Sequence, residues 1–194
     1  MMPFGVAFCR ALVAAGIGRS SVIEIGSKPA PGQEVTANLR PVFEADTYVG
    51  VDLEAGPGVE LVGDGEQVHT LVGDRRFELG ITFDTLEHTW NPGAMVSSLS
   101  QIVDHLALRV PFAAPIHNHP CDYWRVTPAT VARWLKEIRE HGFVAQDAPV
   151  VAAPGDSSPS EWPHGVYGFG TNDEALCLSV LEHMPGGITV LGYW

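Results

Sequence analysis

The chain has 194 residues, of which 45% are hydrophobic and 18% charged, and these values predict a globular protein with one sizeable core. Its formal net charge of -12, from 11 basic and 23 acidic residues, argues against nucleic acid or an anionic membrane as a partner, because both require a basic face. The three cysteines, Cys9, Cys121 and Cys177, form no disulfide or zinc-binding pattern. Their odd number and wide spacing predict reduced thiols in a cytoplasm. No stretch is long enough to span a bilayer.

Helix and strand patterns alternate from the start of the chain. Apolar residues recur at helical spacing from Phe4 to Ala15 and predict an amphipathic helix rather than a signal peptide. Two apolar runs, Ser21 to Gly26 and Thr47 to Asp52, predict buried strands. Between them we expect an extended, proline-containing loop from Lys28 to Gly32 and a short helix from Gln33 to Phe43.

The same alternation continues through the middle of the chain. We predict a short strand from Val59 to Val62 and a longer one from Phe77 to Phe83. A helix from Pro92 to Asp104 and a strand from His105 to Val110 follow. The stretch from Pro128 to His141 predicts a further helix, which begins at a proline and closes before a glycine.

The last part of the chain has a different composition. The stretch from Pro149 to Asn172 is rich in Pro, Gly and Ser and predicts a long loop, while Leu176 to Glu182 and Ile188 to Tyr193 predict a closing hairpin. Residues 1–194 are therefore expected to form a single α/β domain. Its sheet should be mostly parallel, with an antiparallel C-terminal hairpin and helices on both faces.

Two of the predicted strands end in residues that suit a nucleotide-like ligand. The first ends at Gly26, where the backbone could approach a ligand closely, and the second ends at Asp52, whose carboxylate could accept hydrogen bonds from a ribose diol. Ligands of open α/β sheets bind outside the carboxyl ends of the strands, so a nucleoside-containing cofactor is the first hypothesis. The alternative is two ordinary core strands, with Asp52 capping a turn.

One segment resembles a known enzyme family. The stretch from Pro115 to Pro128, PIHNHPCDYWRVTP, is similar to a P-x-H-x-H-P-x-D-Y-W-R-x-T-P segment of small, type 11-like class I S-adenosylmethionine-dependent methyltransferases. The stretch from Phe83 to His88 resembles the fourth-strand motif of that family, and the two strand ends at Gly26 and Asp52 match its first and second strands. The resemblance extends from about Val22 to Leu135 and implies a Rossmann-like methyltransferase sheet.

The resemblance implies S-adenosylmethionine as the cofactor and suggests which residues bind it. The implied positions, from the methionine end through the ribose and adenine to the sulfonium, are Glu24, Gly26, Asp52, Asp64, Asp84 and Thr85. Two alternatives stay open, because Asp64 could simply hold a turn and Glu24 could satisfy backbone donors. The chain departs from the family in its glycine-rich loop, where only Gly26 occupies an expected glycine position.

Three histidines are the candidate general bases. His88 follows the fourth predicted strand, and His117 and His119 lie in the family-like segment, where a neutral imidazole could take a proton from a hydroxyl or an amine. His88 could instead cap the next element. His117 and His119 together with Asp122 would suit zinc, manganese or iron. No recognised spacing supports a metal site, so no metal is expected.

We therefore expect methyl transfer to an oxygen or nitrogen of a small molecule. The predicted long loop contains Trp162, His164, Tyr167 and Phe169, which could cover the site or pack against a second copy in a homodimer. The main alternative is a cofactor-binding relative without methyl transfer, either a partner subunit or a repurposed enzyme. A nicotinamide-dependent oxidoreductase is disfavoured, because the chain lacks the G-x-G-x-x-G turn.

Overall fold

The computed structural model describes residues 3–35, 37–113, 116, 121–147 and 165–194. The helices are α1 (Pro3–Ala14), α2 (Arg40–Phe43), α3 (Val68–Val72), α4 (Pro92–Ser100), α5 (Pro128–Lys136) and α6 (Glu174–Glu182). The strands are β1 (Ser21–Ile25), β2 (Thr47–Asp52), β3 (Leu61–Val62), β4 (Phe77–Phe83), β5 (Val103–Pro111), β6 (His141–Asp147), β7 (Gly165–Thr171) and β8 (Ile188–Tyr193). Single 3-10 turns lie at Gly65–Gln67 and Leu86–His88.

The strands form one sheet in the order β3-β2-β1-β4-β5-β7-β6-β8. The pairs from β3 to β5 are parallel, whereas β7 is antiparallel to both β5 and β6, and β8 is antiparallel to β6. The carboxyl ends of β1, β2, β4, β5 and β6 therefore lie at one edge of the sheet. The predicted α/β architecture, parallel in its first part and antiparallel at its C-terminal end, is confirmed.

Helices cover both faces of the sheet, as predicted. On one face the core includes Phe8 of α1, Phe43 of α2 and Cys177 of α6. On the other face, side chains of α3, α4 and α5, including Leu99 and Leu135, pack against the sheet. Most strands are thus buried on both sides, which explains why they appear in the sequence as nearly continuous apolar runs.

Several predicted boundaries agree with the structure and others do not. The second and fourth predicted strands coincide with β2 and β4. The predicted helix from Gln33 to Phe43 is reduced to the four residues of α2, and the predicted helix from Pro92 to Asp104 ends at Ser100, where a longer β5 soon begins. The helix predicted to run to His141 ends at Lys136, and His141 begins the unpredicted strand β6.

The predicted C-terminal hairpin is wrong in its first half. Residues from Leu176 to Glu182 belong to helix α6, which begins because the side chain of Asp173 accepts a hydrogen bond from the backbone N–H of Leu176 at 3.1 Å. Only Ile188–Tyr193 forms a strand, and its partner is β6. The antiparallel C-terminal end of the sheet is therefore built by β6, β7 and β8.

The last part of the predicted long loop is wrong, because Gly165–Thr171 forms strand β7. Tyr167 and Phe169, which we expected on a covering loop, are fully buried in this strand. Phe8 makes an edge contact with the ring of Tyr167, with the ring centroids 5.2 Å apart. Trp162 and His164 lie outside the described residues, so the proposed cover formed by residues 149–164 stays a prediction.

The glycines of β7 explain both its burial and why it was missed. A Cβ on Gly168 would lie 2.6 Å from Val131 Cγ1 and 2.7 Å from Leu135 Cδ1, so α5 packs directly on the backbone of this strand. Glycine is a turn signal in a sequence, but here it makes room for a helix.

The described cysteines are all free, with Cys121 exposed and Cys9 and Cys177 buried. Among the helices of the described ranges, none has the length and apolar character needed to cross a membrane.

Replacing Gly168 by alanine should destabilise the protein by about 1–3 kcal/mol, because the added methyl group must push α5 away from the sheet. Gly192 in β8 is a matched control, since a Cβ there would meet nothing within 4 Å. Gly192→Ala should change the free energy of unfolding by less than about 0.5 kcal/mol. Urea unfolding of both variants measures the difference, and equal stabilities would contradict this account of the packing.

Candidate functional site

The ends of β1, β2 and β4 are joined at the carboxyl edge of the sheet. Gly26 directly follows β1, and its backbone N–H donates a hydrogen bond of 2.8 Å to the carbonyl of Val51 in β2. Its φ is +81°, and a Cβ at this position would lie 2.1 Å from the hydroxyl oxygen of Thr85. That hydroxyl also lies 3.3 Å from the carbonyl oxygen of Ile25. Glycine is therefore required here by the close approach of Thr85.

Asp52 connects the end of β2 to the loop after β1. Its Oδ2 accepts a hydrogen bond of 3.1 Å from the backbone N–H of Lys28, and its Oδ1 accepts one of 3.2 Å from Glu54. Each carboxylate oxygen can accept two hydrogen bonds, so Asp52 keeps accepting capacity in this half-buried position. The carboxylate and Gly26 thus lie together, as strand ends in a parallel sheet should.

Asp64 occupies the next strand end but has a local role in the structure. It is exposed, and its Oδ1 accepts a hydrogen bond of 2.9 Å from the backbone N–H of Glu66, which caps the first 3-10 turn. This is the turn-holding alternative of the sequence analysis. Binding of an adenine amino group by Asp64 stays a prediction.

Glu24 is buried and hydrogen-bonded within the protein. The hydroxyl of Tyr48 donates to Glu24 Oε2 at 2.6 Å. The alternation of side chains along β1 places Glu24 on the same face as Val22, which packs with α1, whereas Ile23 and Ile25 face the other helices. Burial raises the pKa of Glu24 to about 7, although the Tyr48 hydrogen bond opposes this shift. A contact with a methionine ammonium group stays a prediction.

Asp84 forms an ion pair with a buried arginine. Its backbone is left-handed, with φ +52°, and its carboxylate accepts a hydrogen bond from Nη1 of Arg109, whose side chain is 4% exposed. Arg109 also donates from Nε to the hydroxyl of Tyr167 at 3.2 Å and lies 3.9 Å from Oδ2 of Asp147. The neighbouring Asp84 carboxylate helps to raise the pKa of Arg109 despite burial, so the guanidinium is charged.

His88 lies in the 3-10 turn after β4, and a backbone carbonyl determines its tautomer. Its Nδ1 lies 2.5 Å from the carbonyl oxygen of Cys121. A carbonyl can only accept, so the proton is on Nδ1, and in the neutral ring Nε2 carries the lone pair. Nε2 lies 3.7 Å from Oε1 of the adjacent Glu87. The role of His88 as a general base stays a prediction.

The segment before α5 is held against the residues that follow β4. The backbone N–H of Tyr123 donates to the carbonyl of Glu87 at 2.8 Å, and Nε1 of Trp124 donates to the carbonyl of Thr89 at 3.0 Å. Arg125 forms a bidentate ion pair with Asp122, one of whose hydrogen bonds measures 2.5 Å. This ion pair uses the carboxylate that the metal alternative would need.

The expectations for His117 and His119, as bases or as metal ligands, are not tested by the described residues. In the described ranges no three His, Cys, Asp or Glu side chains converge as metal ligands, and His117 and His119 lie outside those ranges. Their role as bases stays a prediction.

Comparison with solved structures identifies the fold. No protein-family model and no curated protein matches the chain. The plantazolicin methyltransferase BamL, solved with a triazolic desmethylPZN analogue and SAH, aligns over 88% of this chain and 84% of its own at 14% identity, with a TM-score of 0.60. A methyltransferase solved with the Trm112 activator of Haloferax volcanii aligns over 88% of this chain and 90% of its own at 13% identity, with a TM-score of 0.59. An S-adenosylmethionine-dependent methyltransferase from Thermotoga maritima aligns over 88% of this chain and 92% of its own at 14% identity, with a TM-score of 0.54.

The chain has the class I methyltransferase fold.

In this methyltransferase fold, the predicted site residues divide into groups. Gly26, Asp52 and Thr85 meet where β1, β2 and β4 end. Asp64 caps a separate turn, and Glu24 faces the core beside α1.

Two charged residues at the same edge, Arg109 and Glu87, were not predicted from the sequence. A lone arginine in the apolar run of β5 was a usable signal for Arg109, because buried charges are rare unless they are paired. Glu87 belongs to the recognised motif, but the sequence does not show that its side chain is buried.

Glu24 should make the stability of the protein depend on pH. Because its folded-state pKa of about 7 exceeds the ordinary 4.5, the folded chain holds a proton that the unfolded chain loses between these values. The free energy of unfolding contributed by Glu24 therefore falls as the pH rises through this window. Relative to that of the natural protein, the free energy of unfolding of Glu24→Gln should increase by about 1–3 kcal/mol between pH 4.5 and about pH 7.

Urea unfolding at both limits measures this gain. Tyr48→Phe is the control, because it removes the hydrogen bond of 2.6 Å but keeps the carboxyl group, so it should retain the pH dependence. The same difference in stability between natural protein and Glu24→Gln at both pH values would show that Glu24 ionises normally.

Proposed function

We propose that this protein transfers a methyl group from S-adenosylmethionine to an oxygen or nitrogen of a small molecule. The observation that carries the proposal is the meeting of Gly26, Asp52 and Thr85 at one sheet edge, next to the turn that contains His88. Ligands of open α/β sheets bind at this edge. Several proteins with the same fold, including BamL and BpumL, were solved with SAH, the demethylated product of this cofactor.

The residues present fit a nucleoside cofactor at its ribose. Asp52 ends β2 with accepting capacity on both carboxylate oxygens, which suits two neighbouring hydroxyl groups. When bound, the cofactor supplies a methyl group already activated by its sulfonium. Asp52 would orient the ribose, and the backbone around Gly26 would border the methionine portion. In the loop that follows, Lys28 and Ala30 occupy the other two glycine positions of the family pattern and Pro29 stiffens the backbone between them, so the methionine portion would be held differently.

His88 is the proposed general base among the described residues. The carbonyl of Cys121 holds the proton on Nδ1 and leaves Nε2 to accept a proton from the methyl acceptor. The side chain is 15% exposed, so the ring is largely shielded but reachable. His117 and His119 remain proposed alternatives in the same segment of the chain.

A second function is favoured by one observation. Gly26 is explained by its contact with Thr85, and the carboxylate of Asp84 is already engaged by Arg109, so neither residue requires a cofactor to account for it. A cofactor-binding relative without methyl transfer, acting as a partner subunit or a repurposed enzyme, is the alternative. The Haloferax volcanii neighbour was solved with a protein activator, which makes a protein partner the form to test first. The homodimer stays a prediction.

Calorimetric titration with S-adenosylmethionine, its demethylated product and NAD, each added separately, tests the cofactor. We expect the first two to bind and NAD not to bind. Asp52→Ala should weaken binding of S-adenosylmethionine by about 1–3 kcal/mol, because the ribose hydroxyls lose their acceptor. Asp74→Ala is the control, because Asp74 is exposed and precedes β4, away from the carboxyl ends of the strands. Absence of binding by both adenosyl compounds would overturn the proposal.

His88→Asn tests the base once an acceptor is found by screening phenols, carboxylic acids and amines for product release. Turnover should fall on the order of 10²–10⁴-fold, while binding of S-adenosylmethionine stays within about twofold, because the base acts on the acceptor and not on the cofactor. His69→Asn is the control, since His69 lies in α3 and bonds to Ser98. Near-normal turnover of His88→Asn would leave positioning alone, or the other two histidines, as the source of catalysis.

A further inference from the structure

Glu87 is a buried carboxyl group that the proposed chemistry does not yet use. Its side chain is 1% exposed, and neither of its oxygens has a hydrogen-bond partner in the part of the chain that the structure describes. A carboxylate removed from water is unfavourable unless it is compensated. Such a group either keeps its proton or lies beside a group that becomes positively charged during the reaction.

Among the described residues, the ring of His88 lies beside Glu87 and can become positive. Oε1 of Glu87 lies 3.7 Å from Nε2, the nitrogen that carries the lone pair in the neutral ring. The distance is too long for a formed hydrogen bond but short enough for an ion pair after protonation.

The other charged groups around Glu87 come from three elements. Asp84 follows β4, Arg109 lies in β5, and Asp122 lies before α5 beside its partner Arg125. Both arginines are paired with these two aspartates, and the charge of Arg109 offsets only part of the effect of burial on the pKa of Glu87. Burial, reinforced by the negative charge of Asp84, raises the pKa of Glu87 to about 8.

We propose that Glu87 is a positioning residue for His88, and that its carboxylate stabilises the imidazolium formed when Nε2 takes the proton of the methyl acceptor. This inference rests on the proposed function. In that step the proton moves from the acceptor to Nε2, and the freed electron pair on oxygen or nitrogen forms the bond to the methyl carbon. The bond between methyl carbon and sulfur breaks, and its electron pair stays on sulfur.

The arrangement determines how the site depends on pH. Below about pH 8 Glu87 is protonated and contributes no charge, and above it the carboxylate faces Nε2. Turnover of the natural protein should therefore rise as the pH passes this value. Because the two groups interact closely, their protons leave in two steps that belong to the pair.

The test follows the ring of His88 by nuclear magnetic resonance in the cofactor-free protein, over roughly pH 5–10, with isotope-labelled histidine. In the natural protein, the chemical shift of the His88 ring plotted against pH should show two inflections, the upper one near pH 8. In Glu87→Gln it should show one. Glu87→Asp keeps a carboxyl group and should keep two inflections. Glu54→Gln, at an exposed carboxyl group, is the control and should match the natural protein.

The outcomes distinguish this inference from the proposed function. Two inflections that collapse to one in Glu87→Gln support the pair, even if the protein binds no S-adenosylmethionine. A single inflection in the natural protein, or an upper inflection that persists in Glu87→Gln, overturns it. Stoichiometric binding of Zn²⁺ that removes the upper inflection and is lost in Glu87→Gln would also overturn it, by showing that Glu87 is a metal ligand.

Discussion

The buried guanidinium of Arg109 joins the parallel and antiparallel parts of the sheet. Its strand is parallel to β4 on one side and antiparallel to β7 on the other, and its side chain contacts Asp84, Tyr167 and Asp147. A buried charge destabilises a protein unless opposite charges and hydrogen bonds compensate it. Gly165 leaves room for the side chain, since a Cβ there would lie 2.8 Å from Nη2 of Arg109. The relative positions of four strands at the site thus depend on one group.

The elements that could be predicted are those whose burial is reflected in the apolar character of their own side chains. β2 and β4 are mostly apolar because most of their residues are buried, and both strands could be located from the sequence. β7 alternates glycine with larger residues, because α5 and long side chains pack on its backbone, and this pattern resembles a loop. Helix α6 was mistaken for a strand because its apolar run is short enough to suit either element, although its cap Asp173 was a usable signal.

The candidate site shows the same division between local and long-range information. That Gly26 and Asp52 would meet follows from the rule for strand ends, which needs only strand order. The burial of Glu87 does not follow from any local pattern, because it results from the packing of three separate elements around one turn. The loop after β1 also affects the candidate ribose site, since the backbone N–H of Lys28 donates a hydrogen bond to Oδ2 of Asp52.

The hydrogen bond between His88 and Cys121 has a consequence for how this protein can evolve. The partner of the ring is a main-chain carbonyl, which every amino acid possesses, so residue 121 can vary freely without loss of the tautomer. Selection would act instead on the path of the segment, which the hydrogen bonds of Tyr123 and Trp124 maintain. In related sequences, the position that preserves the state of the histidine would then be that of Trp124, whose side chain makes its hydrogen bond, and the position that touches the histidine would look unconstrained.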